Sequence, residues 1–141
     1  MNWSYQRKVR YYETDRMGVV HHSNYLRFLE DARMDWLDSC VMPYSELEAM
    51  GIIIPAVSAA QQFRSYLRFG DTFRVQVKLV EYTGVRMRFS YEVRNVAGNV
   101  LCLTAETEHY FSADKPGYPP ISIKRKFPEL HNIMLAALEQ Q

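Results

Sequence analysis

Four stretches of alternating residues in the second half of the chain limit its fold more than any other feature. Val57, Ala59, Gln61, Phe63 and Ser65 alternate with Ser58, Ala60, Gln62, Arg64 and Tyr66. Val75, Val77 and Leu79 alternate with Arg74, Gln76 and Lys78. Met87, Phe89, Tyr91 and Val93 alternate with Arg86, Arg88, Ser90, Glu92 and Arg94. Leu101, Leu103, Ala105 and Thr107 alternate with Cys102, Thr104, Glu106 and Glu108, running on towards Phe111. A period of two belongs to strands, and three of the four have one polar face, which predicts a sheet with a single covered side. Gly70-Asp71, Thr83-Gly84 and the stretch Asn95 to Asn99 have turn composition, so the strands follow one another antiparallel.

The first half supplies the cover. Residues 4–12 alternate loosely and predict a strand that enters a turn at Glu13. From Ser23 the period changes: Tyr25, Leu29, Ala32 and Trp36 form one helical stripe, widened by Leu26, Leu37 and Cys40. Ser23 or Asn24 is the expected N-cap. A helix of about 17 residues is about 25 Å long, enough to cross a sheet. Pro43 closes it. Tyr44 to Met50 predicts a short second helix ended by Gly51. The tail from Asp114 reads as a loop, and Leu130, Ile133, Met134, Ala137 and Leu138 predict a terminal helix. The expectation is an α+β chain: five antiparallel strands, one long helix covering them, and a short C-terminal helix. Residues 1–141 read as a single domain, with 113–141 as its terminal loop and helix.

A formal net charge of +1 offers no global field for nucleic acid or a membrane surface. No apolar run approaches the ~18 residues of a spanning helix, and the first residues have no signal-peptide form. Cys40 and Cys102 fall in apolar-patterned segments and read as thiols, not as a bridge, which suits a cytoplasmic protein.

The chemistry-bearing residues crowd into one stretch, Tyr11-Tyr12-Glu13-Thr14-Asp15-Arg16-Met17-Gly18-Val19-Val20-His21-His22-Ser23-Asn24-Tyr25. It places a carboxylate before a glycine turn, two imidazoles after it, and then a helix start. The free N–H groups of a helix start favour developing negative charge, so the arrangement suits chemistry on a carbonyl. Asp15 has a plainer reading as a turn stabiliser. His21 and His22 are adjacent and are expected to point different ways, with His21 packing against the sheet or a partner. Asp15, His21 and His22 match no metal-binding spacing, so neither metal nor cofactor is expected. Glu13 reads as structural, Asn24 as a cap, Glu30 and Arg33 as an intrahelical or interchain ion pair, and His109 and His131 as chemically idle.

Tyr12-Glu13-Thr14-Asp15, followed by Gly18 to Leu26 and Glu30-Asp31-Ala32-Arg33, resembles the signature of the 4-hydroxybenzoyl-CoA thioesterase family of hotdog acyl-CoA thioesterases. The chain is most similar to the bacterial branch related to the Tol-Pal-cluster thioesterases, and the resemblance covers residue 5 to about residue 112. It implies the hotdog architecture, a curved antiparallel sheet around one long helix. It implies hydrolysis of an acyl-CoA or acyl-carrier-protein thioester, with Asp15 either activating water or attacking the carbonyl. The backbone N–H of His22 or Ser23 would polarise that carbonyl. His22 could orient the substrate, interact with Asp15 or help the leaving thiolate. Ser23 and Tyr25 are expected at the substrate, and Arg64, Arg86 and Arg88 are expected to meet the phosphates of CoA. The resemblance also implies a homodimer or a homotetramer with shared sites. The alternative is a hotdog module that binds acyl groups or CoA without hydrolysis.

Overall fold

The computed structural model describes residues 3–140. In chain order its elements are β1 (Trp3–Lys8), α1 (Ser23–Cys40), α2 (Tyr44–Ala49), β2 (Ile52–Ile53), β3 (Ala56–Phe63), β4 (Thr72–Tyr82), β5 (Arg86–Asn95), β6 (Val100–Tyr110), β7 (Ser112–Ala113), α3 (Ile123–Lys126) and α4 (Pro128–Glu139). Five strands form one antiparallel sheet in the order β1-β4-β5-β6-β3, and β2 pairs with β7 beside it. The expected order of strand, helix and four strands is borne out.

The alternation of β4 and β5 becomes burial. Phe73, Val75, Val77 and Leu79 point inward from β4, and Met87, Phe89, Tyr91 and Val93 from β5. They meet α1, whose buried stripe is Tyr25, Phe28, Leu29, Ala32, Trp36 and Leu37. Phe28 takes the place expected for Leu26, which is 42% exposed. The Phe28 ring stacks on Phe73 at 4.3 Å, and Trp36 meets Phe89 edge-on at 5.1 Å. These contacts set the helix along the sheet, its N-terminus at the Phe73 end of β4.

Three local expectations need correction. β1 stops at Lys8, opposite Thr72 where β4 begins, because its pairing partner runs out there. A 3-10 turn, Tyr11–Glu13, follows, and Tyr11 and Tyr12 are exposed, where strand continuation had been expected. α1 is not capped by Ser23 or Asn24. The residue before it, His22, already has helical backbone and makes no side-chain cap, while the Asn24 side chain reaches back to the Glu13 carbonyl. Finally, Glu30 and Arg33 do not pair within the helix: Arg33 donates to the Tyr91 hydroxyl at 3.1 Å.

In the tail, Leu130, Met134 and Ala137 of α4 are buried, and the helix packs over β4 of its own chain. Cys40 is half-buried, Cys102 is buried, and both are free thiols.

Candidate active site

The stretch singled out by its residue types is organised by a buried carboxylate. Glu13 is only 4% exposed. Its two oxygens accept the Arg7 guanidinium at 2.8 and 2.6 Å, and Oε1 also accepts the Arg10 backbone N–H at 2.8 Å. The Arg7 guanidinium lies over Phe28 and Phe73, 4.9 and 5.2 Å from their ring centres. Burial pushes the Glu13 carboxyl up, but the hydrogen bonds from Arg7 and Arg10 outweigh it and hold the group below its ordinary value. The Glu13 carbonyl accepts the His21 N–H at 2.9 Å and Asn24 Nδ2 at 2.8 Å. One residue thus ties the end of β1 to the start of α1, as its structural reading anticipated.

Between those anchors the chain makes a tight hairpin. Thr14 bridges to Val20, the Asp15 N–H reaches the Val19 carbonyl at 2.8 Å, and the Gly18 N–H reaches the Asp15 carbonyl at 3.0 Å. Gly18 sits at φ +80°, the left-handed residue that closes a type I turn with a bulge. Asp15 heads that turn, and its Oδ1 accepts the Met17 N–H at 2.8 Å. Its Oδ2 makes no hydrogen bond among the described residues, and the side chain is partly exposed. One oxygen therefore steadies the turn and the other is left without a partner among the described residues.

The far arm of the hairpin runs directly into α1. His21 Nδ1 bonds the Ser23 hydroxyl at 2.8 Å and accepts the Ser23 N–H at 3.2 Å. The Asn24 N–H bonds the His21 carbonyl at 2.9 Å. Among the described residues the N–H of His22 has no partner, so it is the open donor at the helix start. The His21 and His22 rings lie side by side, 4.2 Å apart and tilted by 31°, where divergent rings had been expected. His22 is exposed and makes no hydrogen bond to Asp15.

The remaining candidates scatter. Tyr25 is buried; its hydroxyl accepts the Leu67 N–H at 3.3 Å and its ring meets Phe63 and Phe28. Burial pushes its hydroxyl up to about 12. It holds the 64–71 loop, to which the hairpin is also tied by a bond from the Val20 N–H to the Leu67 carbonyl at 2.8 Å. Arg64 follows β3 at this same end of the sheet and bonds Gln62 at 3.0 Å. Arg86 and Arg88 lie at the opposite end. The register Phe63↔Leu103 and Arg86↔Tyr110 separates Arg64 from Arg86 by about 25 Å along the strands. Arg88 is held by Glu106 at 3.0 Å and Glu81 at 3.5 Å, and Arg86 is exposed. Within one chain the three arginines do not form one site.

The structure singles out two further residues: His109, which the sequence reading took as chemically idle, and Gln61, which it placed in a strand without a role. His109 is 1% exposed and lines a cavity of about 280 Å³ between α1 and the sheet. Its Nδ1 is buried without a partner, as is Oε1 of Gln61 on β3. His109 continues the phase of Leu103, Ala105 and Thr107, so carrying that alternation two residues further would have placed it inside.

The model of the thioesterase-like superfamily matches residues 9–137. The chain belongs to the thioesterase-like superfamily. Within the superfamily it is 33% identical over 124 residues to YneP of Bacillus subtilis, a candidate acyl-CoA thioesterase by its name, covering 88% of each chain. It is 31% identical over 106 residues to a 1,4-dihydroxy-2-naphthoyl-CoA hydrolase of Thermosynechococcus vestitus, covering 74% of this chain and 72% of that one. The solved structure of a DHNA-CoA thioesterase from Staphylococcus aureus superposes with a TM-score of 0.89 at 28% identity, over 99% of this chain and 93% of the other. The superfamily's hotdog fold is therefore the fold of this chain.

Proposed function

We propose that the protein is a thioester hydrolase that cleaves acyl-CoA to a free carboxylic acid and CoA, with Asp15 Oδ2 as its reactive oxygen. The observation that carries this is an unpaired carboxylate oxygen and the unpaired His22 N–H on one short hairpin. The N–H receives the thioester carbonyl oxygen as it becomes negative. As general base, Asp15 takes a proton from water while the water oxygen bonds to the carbonyl carbon. The C–S bond then breaks and the thiolate leaves as the acid forms. As nucleophile, Asp15 Oδ2 bonds to the carbonyl carbon, the C–S bond breaks as the thiolate leaves, and water then opens the resulting anhydride to the free acid and the restored carboxylate. On this reading the exposed His22 imidazole holds or protonates the leaving sulfur. The motif from Tyr12 to Arg33 supports membership of the 4-hydroxybenzoyl-CoA thioesterase branch related to the Tol-Pal-cluster enzymes. Two free thiols suit a cytoplasmic setting, and among the described residues no helix is long and apolar enough to cross a membrane.

The working unit is a pair of chains. β3 is an open edge, and nearly all of its residues are exposed, Val57 at 51% and Phe63 at 48%. Such an edge needs a partner, and a second β3 pairing antiparallel about a twofold axis supplies one. That pairing brings the Phe63 end of one copy, with its Asp15 hairpin, to the Ala56 end of the other. Arg86 and Arg88 of the second copy lie at that end, so they can serve the CoA phosphates of a site whose carboxylate they never meet in their own chain.

Asp15→Asn keeps size and turn shape and removes the basic oxygen. Turnover of the best acyl-CoA, followed with a thiol reagent, is expected to fall by roughly two to four orders of magnitude with the fold intact. Near-normal turnover would overturn the reading. A single turnover in heavy-oxygen water separates the two mechanisms, because only the nucleophile leaves label in Asp15.

A further inference from the structure

The Asp15 hairpin is two arms of a small three-stranded patch of sheet. Thr14 bridges to Val20, and Val19 bridges in turn to Arg68 of the 64–71 loop. The pairing is antiparallel, so the position after Arg68 stands opposite Gly18. Phe69 therefore lies beside the hairpin tip, Arg16-Met17-Gly18, and its ring meets Tyr11 edge-on at 5.6 Å. The Val9 N–H bonds the Asp71 carbonyl at 2.8 Å, which sets this patch by β1, the edge of the sheet opposite β3. Pairing of two chains through β3 takes place at the other edge.

The patch is both apolar and basic. Tyr11, Tyr12, Met17 and Phe69 are 60–76% exposed. Single apolar side chains on a surface mean little, but four on adjacent turns make a contact face. Arg16 and Arg68 are exposed beside them, and neither guanidinium has a partner among the described residues. Arg10 bonds the neutral Tyr12 hydroxyl at 3.0 Å. Glu13 is paired with Arg7, which leaves Asp15 and Asp71 against Lys8, Arg10, Arg16 and Arg68. The formal net charge of +1 conceals this local excess.

A second copy of the chain is a poor cover for the patch, because it would set arginine against arginine. The charge calls for an anionic partner. The apolar part is made of Tyr, Phe and Met on turns, and tyrosine rings with arginines beside them suit the boundary between lipid headgroups and acyl chains. We propose that the hairpin tip and the Phe69 turn dock the protein on an anionic lipid surface. Tyr11, Met17 and Phe69 enter the headgroup region, and Arg16 and Arg68 meet lipid phosphates. The docking stands apart from the thioesterase reading. On that reading it has one consequence: Asp15, next to Arg16 in the chain, is held at a surface into which acyl chains partition.

The test is co-sedimentation of the full chain with vesicles of phosphatidylcholine, alone or mixed with phosphatidylglycerol. Binding to the mixed vesicles is expected to exceed binding to the neutral ones by roughly tenfold or more, and to weaken as salt rises. Arg16→Gln with Arg68→Gln is expected to remove most of that excess, and Tyr11→Ser with Phe69→Ser to lower binding by roughly tenfold. Lys124→Gln with Arg125→Gln removes as much charge from exposed positions of α3, which is tied to the distant Gly84 turn, and is expected to change little. Hydrogen exchange on the wild-type protein covers the case in which a variant does not fold: mixed vesicles should protect amides in 11–18 and 66–69 and leave those of α3 unchanged. Equal binding to both kinds of vesicle, or to neither, overturns the inference. An equal loss in the α3 variant reduces the effect to overall charge and overturns it, as does undiminished binding without the two rings. A wild-type protein that ignores the mixed vesicles and binds polyglutamate overturns the lipid in favour of an acidic protein.

Discussion

Single residues in this protein carry divided duties, and Asp15 is the clearest. Its Oδ1 closes a turn through the Met17 N–H while Oδ2 remains open. The plain reading of Asp15 as a turn residue and the chemical one are thus compatible on one side chain, and residue type alone could not separate them. His109 is a second case, with a consequence for stability. Its imidazole is pushed down to about 3, chiefly by burial. The unfolded chain takes up that proton near the ordinary 6.5 and the folded chain does not. The folded state is therefore favoured in full above about pH 6.5 and loses ground as pH falls towards 3. The expected loss is up to about 1.4 kcal/mol per pH unit in that window. Urea unfolding at pH 7 and pH 5 measures it, and His109→Phe should flatten the slope between them by about that amount. An identical slope in the variant would mean that His109 protonates freely in the fold.

At the scale of elements, periodicity made the long helix and the strands legible, because burial on one face repeats along an element. Its failures fall where an element's end depends on something distant. β1 stops at Lys8 because β4 begins at Thr72, more than sixty positions away in the chain. α1 starts without a Ser or Asn cap because Asn24 is drawn to the Glu13 carbonyl. The pair that joins these two ends, Arg7 with Glu13, had no signature, since two charges six residues apart in a strand and turn reveal neither their burial nor the Phe28 and Phe73 rings beneath them. For the same reason the Asp15 hairpin could be found from its motif, but the way it is held could not. The pair gives a direct test. Glu13→Ala leaves the half-buried Arg7 with only the exposed Asp31 carboxylate at 4.0 Å and the Lys8 carbonyl at 2.9 Å, and should cost about 2 kcal/mol in urea unfolding. Arg7→Leu with Glu13→Leu should recover part of that loss, because neither charge is then stranded. If the single variant costs nothing, the pair is not what fastens the hairpin. Activity should fall with either variant, since Asp15 and the His22 N–H share that support.

At the scale of the whole molecule, the proposed function asks for two chains. The helix covers β4 and β5 and leaves β3 open on its edge, while α4, a candidate for joining subunits, spends Leu130, Met134 and Ala137 on its own sheet. On the proposed pairing through β3, light scattering should give twice or four times the 16.6 kDa of the chain. Antiparallel pairing puts Asp15 of one copy at the end of the other that carries Arg86 and Arg88. Asp15→Asn chains lack the reactive oxygen, and chains with Arg86→Ala and Arg88→Ala lack the phosphate contacts. Each homodimer should be nearly inactive at low acyl-CoA concentration. Unfolding the two together and refolding them in equal amounts makes mixed dimers, in which one of the two sites receives an intact carboxylate and intact arginines. Activity should then return to about a quarter of the wild-type level, the share of intact sites that random pairing produces. If the arginines served the carboxylate of their own chain, mixing could rescue nothing, because each Asp15 would still stand beside damaged arginines. A fully active monomer would remove the shared site altogether, whereas a dimer without rescue would remove only the arginines from it.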